Sequence, residues 1–351
     1  MKQTLPYLVL ILIGLLTFTA PTRADSGQAL TFHQAVELMN ENNLSLQIAR
    51  INLELAEIDY EKALASNLMS TSQQGQMQAE HNLERAKHTY RTAKRNNYLE
   101  VFRAYTEVLS TRRTLAIREL ERKIADHDYT IVQEKVRIGD AGRLDDLREM
   151  NRLEAAKRAE LTAKQNLVAS EGQLRRLLGL GDDEDLVLTF DFALPELELT
   201  LEESLEMGLA NSFTLRDQKT SLELQERQLQ TAKIDGTAPI DVRRSELSIE
   251  VSRLNLEQEE SNLAGNITSS FQSLADLKAR FVSAERDWEI AQETYDLYRQ
   301  QEERGLITEV QLLEQEISRL NSEHNRIEAQ AAYLVAYLQF YHLLGLDGSL
   351  Q

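Results

Sequence analysis

The chain of 351 residues contains no cysteine and only four prolines. Without cysteine it has no disulfide, no thiolate metal site and no lipoprotein acylation box. Two of the prolines lie at the front, so 22–194 holds none, and only Pro195 and Pro239 follow. Proline breaks helix interiors, so its absence over such a distance permits very long helices. Aromatics are sparse at 6%, with a single tryptophan. Long apolar runs are also missing beyond the first residues, where Tyr7 to Phe18 is almost wholly apolar. That run is too short for a comfortable membrane span, which needs ~20 residues. Lys2 before it, and Thr22-Arg23-Ala24 after it with small residues at −3 and −1, predict a signal peptide over 1–24, cleaved before Asp25.

Positive charge is in deficit. The formal net charge is −18, and removal of Lys2 and Arg23 with the leader takes it to −20. Such a surface repels nucleic acid and anionic lipid. Most of the carboxylates sit where solvated helix faces are expected.

What the chain does have is a repeat. Gly139 and Leu178-Gly179-Leu180 return, with an offset of 166, as Gly305 and Leu344-Gly345-Leu346. The front of each half matches with an offset of 169: Leu30-Thr31, Glu37, Asn42 and Leu46 correspond to Leu199-Thr200, Glu206, Asn211 and Leu215. A duplicated helical unit points to equivalent elements doing equivalent jobs and away from a single catalytic cleft.

The predicted architecture is all-α, with long helical hairpins in duplicate forming an extended coiled-coil bundle. The first repeat covers 25–181, a linker 182–198, and the second repeat 199–351. In the first repeat, Thr31 caps a helix from Phe32 to about Ser66, and a polar turn covers Ser66 to Gly75. A long helix follows from about Gln76 to Ile138, then a tip at Gly139-Asp140-Ala141-Gly142. The next helix runs from Leu144 to Leu178, closed by Gly179. Leu186 to Phe190 reads as a short strand. In the second, a helix runs from Thr200 to about Ile234, with a turn at Asp235 to Pro239. The long helix reaches Arg304, the tip is Gly305-Leu306-Ile307-Thr308, and the last helix ends at Leu344. That last helix carries a coiled-coil seam: Leu313, Ile317, Leu320, His324, Ile327, Ala331, Leu334, Leu338 and Tyr341.

No enzyme constellation emerges, and no cofactor is expected. Gly179-Leu180-Gly181 lacks the lysine of a phosphate loop and reads as a helix stop. The acidic run Asp182 to Asp185 lacks the spaced ligands of a calcium loop. No two histidines stand four apart, so no metal pair is predicted, and His324 on the seam reads as a core or interhelix hydrogen-bonded residue. Asp145, Asp146 and Glu149 follow the first tip; Glu309, Gln311 and Glu314 follow the second. They read either as helix-start acids complementing the macrodipole or as an acidic ring around a pore.

These features resemble the TolC-type outer-membrane efflux family over nearly the whole chain after the leader. The family opens each half with a Leu-Thr-x-x-x-Ala helix leading to an asparagine-rich turn. Here these are Leu30-Thr31 through Ala35 with Asn42-Asn43, and Leu199-Thr200 through Ser204 with Asn211. Its long helices carry an aromatic followed by apolar residues, here Tyr105 with Val108-Leu109 and Phe271 with Leu274. Its tips read Val-Gly-Leu-x-Thr. Gly305-Leu306-Ile307-Thr308 matches well, whereas the first tip matches only at Gly139. The resemblance implies a homotrimeric periplasmic tunnel serving a tripartite efflux or type I export system. It implies that the tips Gly139, Gly142, Gly305, Leu306, Ile307 and Thr308 meet a periplasmic adaptor (membrane-fusion) protein or an inner-membrane pump. It also implies that Asp145, Asp146 and Glu314 lie near a constriction. The expected location is the periplasm, with association to the outer membrane.

One departure is large. The family inserts paired strands in each half that together close a membrane barrel, and a transmembrane strand needs ~9–11 residues. The connections at Ser66 to Gly75 and Asp235 to Ser245 hold no such hairpin. The expectation is a barrel-less, α-helical relative, with a separate outer-membrane component as one way to complete a conduit. The competing expectation is a periplasmic coiled-coil scaffold that binds adaptors without transport.

Overall fold

The computed structural model describes residues 30–70, 73–181, 186–190 and 192–346. The leader 1–24 and the acidic run Asp182 to Asp185 lie outside them. Eight helices follow one another: α1 Phe32–Asn42, α2 Leu44–Ser70, α3 Gln73–Ile138, α4 Arg143–Leu178, α5 Leu201–Asn211, α6 Phe213–Ile234, α7 Pro239–Glu303 and α8 Glu309–Leu343. The duplication is plain in their lengths: 11, 27, 66 and 36 residues, then 11, 22, 65 and 35. At ~1.5 Å per residue, α3 is on the order of 100 Å long.

Each repeat starts on a reciprocal cap. Thr31 Oγ1 accepts from the Gln34 amide while the Thr31 amide donates to Gln34 Oε1. Thr200 and Glu203 repeat the arrangement. Two backbone donors at the helix start are thereby satisfied.

The helices expected from Phe32 to Ser66 and from Thr200 to Ile234 are each broken in two. The breaks fall at Asn43 and Ser212, both extended in ψ. Asn43 Oδ1 accepts from the Leu46 amide at 3.0 Å, and Ser212 Oγ from the Leu215 amide at 3.3 Å. A short polar side chain offers the backbone an alternative to the helix ladder, so one helix ends and another is capped on the same residue. The polar turn is also shorter than expected. α2 continues to Ser70 and α3 starts at Gln73, leaving two residues between them. The α6–α7 connection is 235–238. Neither can hold a transmembrane strand, which takes ~9–11 residues. Leu186 to Phe190 is not a strand: an isolated parallel bridge joins Leu30 and Leu188. Among the described residues no helix is long and apolar enough to cross a membrane.

α3 and α4 form an antiparallel hairpin, pinned by Thr111 with Ser170, Arg112 with Glu171, and Arg152 with Asp128. α7 and α8 form its counterpart, with Arg326 over the Trp288 ring and Arg319 over the Tyr295 ring. The first stretch of α3 packs on α2, and the first stretch of α7 on α6. The two repeats join where α3 lies antiparallel to α8 through Ile117, Leu120 and Leu320, with Arg113 paired to Glu323. Both tips therefore lie at one end of the bundle. The α8 seam is buried at Leu320, Ile327, Leu334 and Leu338. A second buried stripe, Tyr333, Tyr337 and Phe340, runs beside it. His324 is half-buried, but its Nδ1 is buried without the expected hydrogen bond.

The main core sits at mid-length, where α1, α5 and the extended linker wrap the long helices. The Phe32 ring meets Tyr98, Phe102, Tyr105 and Phe192 at centroid distances of 5.2–5.8 Å, mostly edge to face. Tyr105 Oη donates to the Leu30 and Thr189 carbonyls, and Tyr333 Oη to the Pro195 carbonyl. Gln330 Nε2 holds the Phe192 carbonyl. A linker with no sheet of its own has its carbonyls satisfied by side chains of α3 and α8.

Five glycines adopt positive φ: Gly139, Gly179, Gly236, Gly305 and Gly345. In each case the next amide reaches back five residues, as from Leu180 to the Arg175 carbonyl and from Leu346 to the Tyr341 carbonyl. This is the Schellman closure of a helix end. Gly179 and Gly345 carry a second constraint. A Cβ on Gly179 would stand 2.5 Å from Asn42 Cβ, and one on Gly345 2.8 Å from Asn211 Cβ. Asn42 Nδ2 in turn donates to the Leu178 carbonyl at 3.1 Å. Gly139, by contrast, has open space. Gly179→Ala should therefore destabilise the chain by about 2–4 kcal/mol, combining backbone strain with a clash. Gly139→Ala should cost only ~1 kcal/mol. Urea unfolding of the two variants checks the difference.

Candidate partner interface

Both tips are built by chain-reversal physics alone. At the first, Gly139 (φ +83°) ends α3 and the Asp140 amide donates to the Lys135 carbonyl. Gly142 precedes α4, and its amide donates to Asp145 Oδ2 at 3.1 Å. At the second, Gly305 (φ +70°) ends α7 and the Leu306 amide donates to the Gln301 carbonyl. Thr308 caps α8 through a reciprocal pair with Gln311. With every turn amide occupied, the side chains left over point outward. Leu306 is 68% exposed, and beside the first tip Ile138 and Leu144 are 68% and 60% exposed. Ile307 is half-buried and Thr308 exposed.

Asp145 sits in the first turn of α4, accepts the Gly142 amide and lies 3.6 Å from Arg148. Asp146 stands beside it in that turn, half-buried, and Glu314 is exposed on α8. Within one chain the acids of the two tips are not in contact. Their separate positions fit helix-start acids, and only assembly of several copies could gather them. Among the described residues, no group of three or more His, Cys, Asp or Glu is placed to hold a metal ion.

The surface that the motifs did not reveal is larger than the tips. In the half away from the tips the helices lie in a row, α2, α3, α6, α7; in the tip half the row is α4, α3, α8, α7. Neither row closes on itself. The outermost helices carry apolar stripes that face away from their own partners. On α2 these are Leu44, Ile48, Ile51, Leu55 and Ile58, 42–72% exposed. On the first stretch of α7 they are Ile240, Leu247, Val251 and Leu254, 51–75% exposed. In the tip half, Leu147, Leu161 and Val168 line the α4 edge, and Ile290 and Leu297 the α7 edge. Steps of three, four and seven are those of a coiled-coil seam. The signal was present in the α2 sequence, but periodicity does not say whether a seam is covered within the chain.

Residues 67–180, from the end of α2 through the α3–α4 hairpin, match the family model described as outer membrane efflux protein. No curated protein matches the chain. Among solved structures, the fold resembles the CmeC outer membrane channel of Campylobacter jejuni, with 12% identity, 93% of this chain and 90% of that one covered, and a TM-score of 0.63. It also resembles the outer membrane protein VceC of Vibrio cholerae, with 12% identity, coverage of 90% and 96%, and a TM-score of 0.62. CusC, whose structures concern transmembrane channel formation, matches at 13% identity, coverage of 90% and 92%, and a TM-score of 0.62. At such identities the likeness is one of fold.

On the capping geometry alone, Asp145→Ala should lower stability by ~0.5–1 kcal/mol, because the Gly142 amide loses its acceptor and the α4 terminus a complementary charge. Thermal and urea melts of the variant provide the check.

Proposed function

The chain has the helical fold of TolC-family channels and carries the outer membrane efflux signature across its first hairpin; from that premise we propose that it is a non-catalytic tunnel component of an efflux or type I export system. The observation that carries the reading is the open row of helices with an apolar stripe on each edge. Edges of different sequence, α2 and α4 on one side and α7 on the other, suit a head-to-tail contact between copies. Repeated around an axis, such contacts close a ring. The resemblance suggests three copies around a water-filled lumen. It places the protein, after export, in the periplasm in association with the outer membrane.

In this reading the tips at Gly139, Gly142, Gly305, Leu306, Ile307 and Thr308 meet a periplasmic adaptor and an inner-membrane pump. The short α2–α3 and α6–α7 connections call for a separate outer-membrane component at the opposite end. The same short connections favour a second reading, a ring or rod that scaffolds adaptors without conducting. Electron microscopy of the exported chain separates a tube from a rod.

Each apolar side chain withdrawn from water contributes about 1.5–3 kcal/mol. Ile51→Glu with Leu55→Glu should therefore weaken self-association by at least ~100-fold. Sedimentation would show smaller species with helicity unchanged. Leu306→Glu, far from that edge, should leave the assembly intact and abolish adaptor capture. Collapse of helicity in Leu306→Glu would instead make Leu306 a folding residue.

Gathered at one end of a ring, Asp145, Asp146 and Glu314 would each recur in every copy and attract cations. Asp145→Asn with Glu314→Gln should then alter cation block or leak in a reconstituted conduit, with little loss of assembly. Unchanged conductance with a small drop in melting temperature would leave these acids as helix-start residues only.

A further inference from the structure

We propose that the contact between α3 and α6 is an acid-operated hinge, which pivots on the His81–Asp217–Arg85 clasp and parts where the His88 ring lies on Phe213. This contact is the junction between the two repeats in the half away from the tips, where the α3–α8 cluster of Ile117, Leu120 and Leu320 does not reach.

The clasp is compact. His81 Nε2 lies 2.7 Å from Asp217 Oδ1, and Arg85 donates to both carboxylate oxygens at 2.7 and 2.9 Å. Two turns along α3, the His88 ring stacks on Phe213 with centroids 3.9 Å apart and planes within 7°. The groups around His88 are mostly cations. Arg91 and Arg95 lie on its own helix, and Arg216 projects from α6. The carboxylates are committed elsewhere: Asp217 to the clasp, and Glu84 to Lys87 at 2.8 Å. α8 reaches this stretch with its end, where the Leu346 carbonyl accepts from Arg95 and His342 lies in the last turn. Thr92 Oγ1 is 3.4 Å from His88 Nε2.

Acid acts on the two histidines in opposite senses. A proton on His81 adds a charge facing the Asp217 carboxylate and tightens the clasp. Burial works to raise the Asp217 pKa, but hydrogen bonds from Arg85 and His81 outweigh it and leave the carboxyl below its usual range. It therefore stays ionised where histidines titrate. A proton on His88 has no free counter-charge and three guanidinium groups for neighbours. Burial first, then Arg95, Arg91 and Arg216, hold its pKa below the usual histidine range. A base whose pKa is lower in the closed contact than in the open one favours opening as pH falls. The closed contact is at full strength above about pH 6.5, the ordinary histidine value, and weakens below it. One end of the junction is released while the other is held, which is the motion of a hinge.

The chain has no cysteine, so paired spin labels can be placed without background. Thr89→Cys with Thr214→Cys brackets the stacked rings, and Gln78→Cys with Glu223→Cys brackets the clasp. Between about pH 7.5 and pH 5.5, across the histidine range, the first distance should lengthen and the second stay fixed. His88→Phe, which keeps a ring for stacking but cannot take a proton, should abolish the change, whereas His81→Gln should keep it. His88→Gln provides the same test if the phenylalanine variant misfolds. A first distance insensitive to pH, movement of both pairs together, or a response that survives loss of His88 would each overturn the hinge.

Discussion

The long helices α3 and α7 set the terms for every other element, because neither can bury its apolar face against a single partner. α3 packs first on α2 and then on α4; α7 packs first on α6 and then on α8. Where one partner stops and the next begins, mid-length stretches of α3 and α7 would lie bare. α1, α5 and the linker fill that band, which is why the largest buried side chains, Phe102, Tyr105, Met39, Tyr333 and Phe340 among them, gather there. The two partners must also end without colliding. Asn42 at the close of α1 and Gly179 at the close of α4 meet so tightly that only a residue without Cβ fits. Asn211 and Gly345 solve the same problem in the second repeat. The anchors of the sequence repeat are thus the points where backbones touch, which explains why they persist between halves that otherwise differ.

Much of this was legible in the chain. A proline-free stretch and glycines at the stops located α3, expected from about Gln76 and observed from Gln73, and α4, expected from Leu144 and observed from Arg143. The breaks at Asn43 and Ser212 were not read from the residues, because nothing there forbids a helix. They exist because capping by a short polar side chain combines with tertiary burial of Leu46 and Leu215. Leu186 to Phe190 looked like a strand by composition, yet it has no partner strand and is held by Tyr105 and Arg112 instead. The tips were legible as turns, from glycine and Thr308. The clasp of His81, Arg85 and Asp217 was not, since contacts between residues about 130 apart leave no local pattern.

The comparisons and the packing converge by different routes. The family match covers the end of α2 and the α3–α4 hairpin, while the likeness to solved channels extends over both repeats. The exposed stripes on α2, α4 and α7 mark where a single chain is unfinished. The α8 seam and the α2 stripe have the same spacing, and only the fold distinguishes the one covered within the chain from the one left open.

The continuity of α3 through the central band has a mechanical consequence. A helix without a kink transmits rotation, and the band grips α3 near its middle, with about 33 residues, or ~50 Å, on either side. A tilt of only ~5° imposed near Gln73 would therefore carry Ile138 ~4 Å the other way, about the rise of three residues. The chain is a balanced beam: force applied at the end remote from the tips is delivered at the tips undiminished, with no joint in between to absorb it.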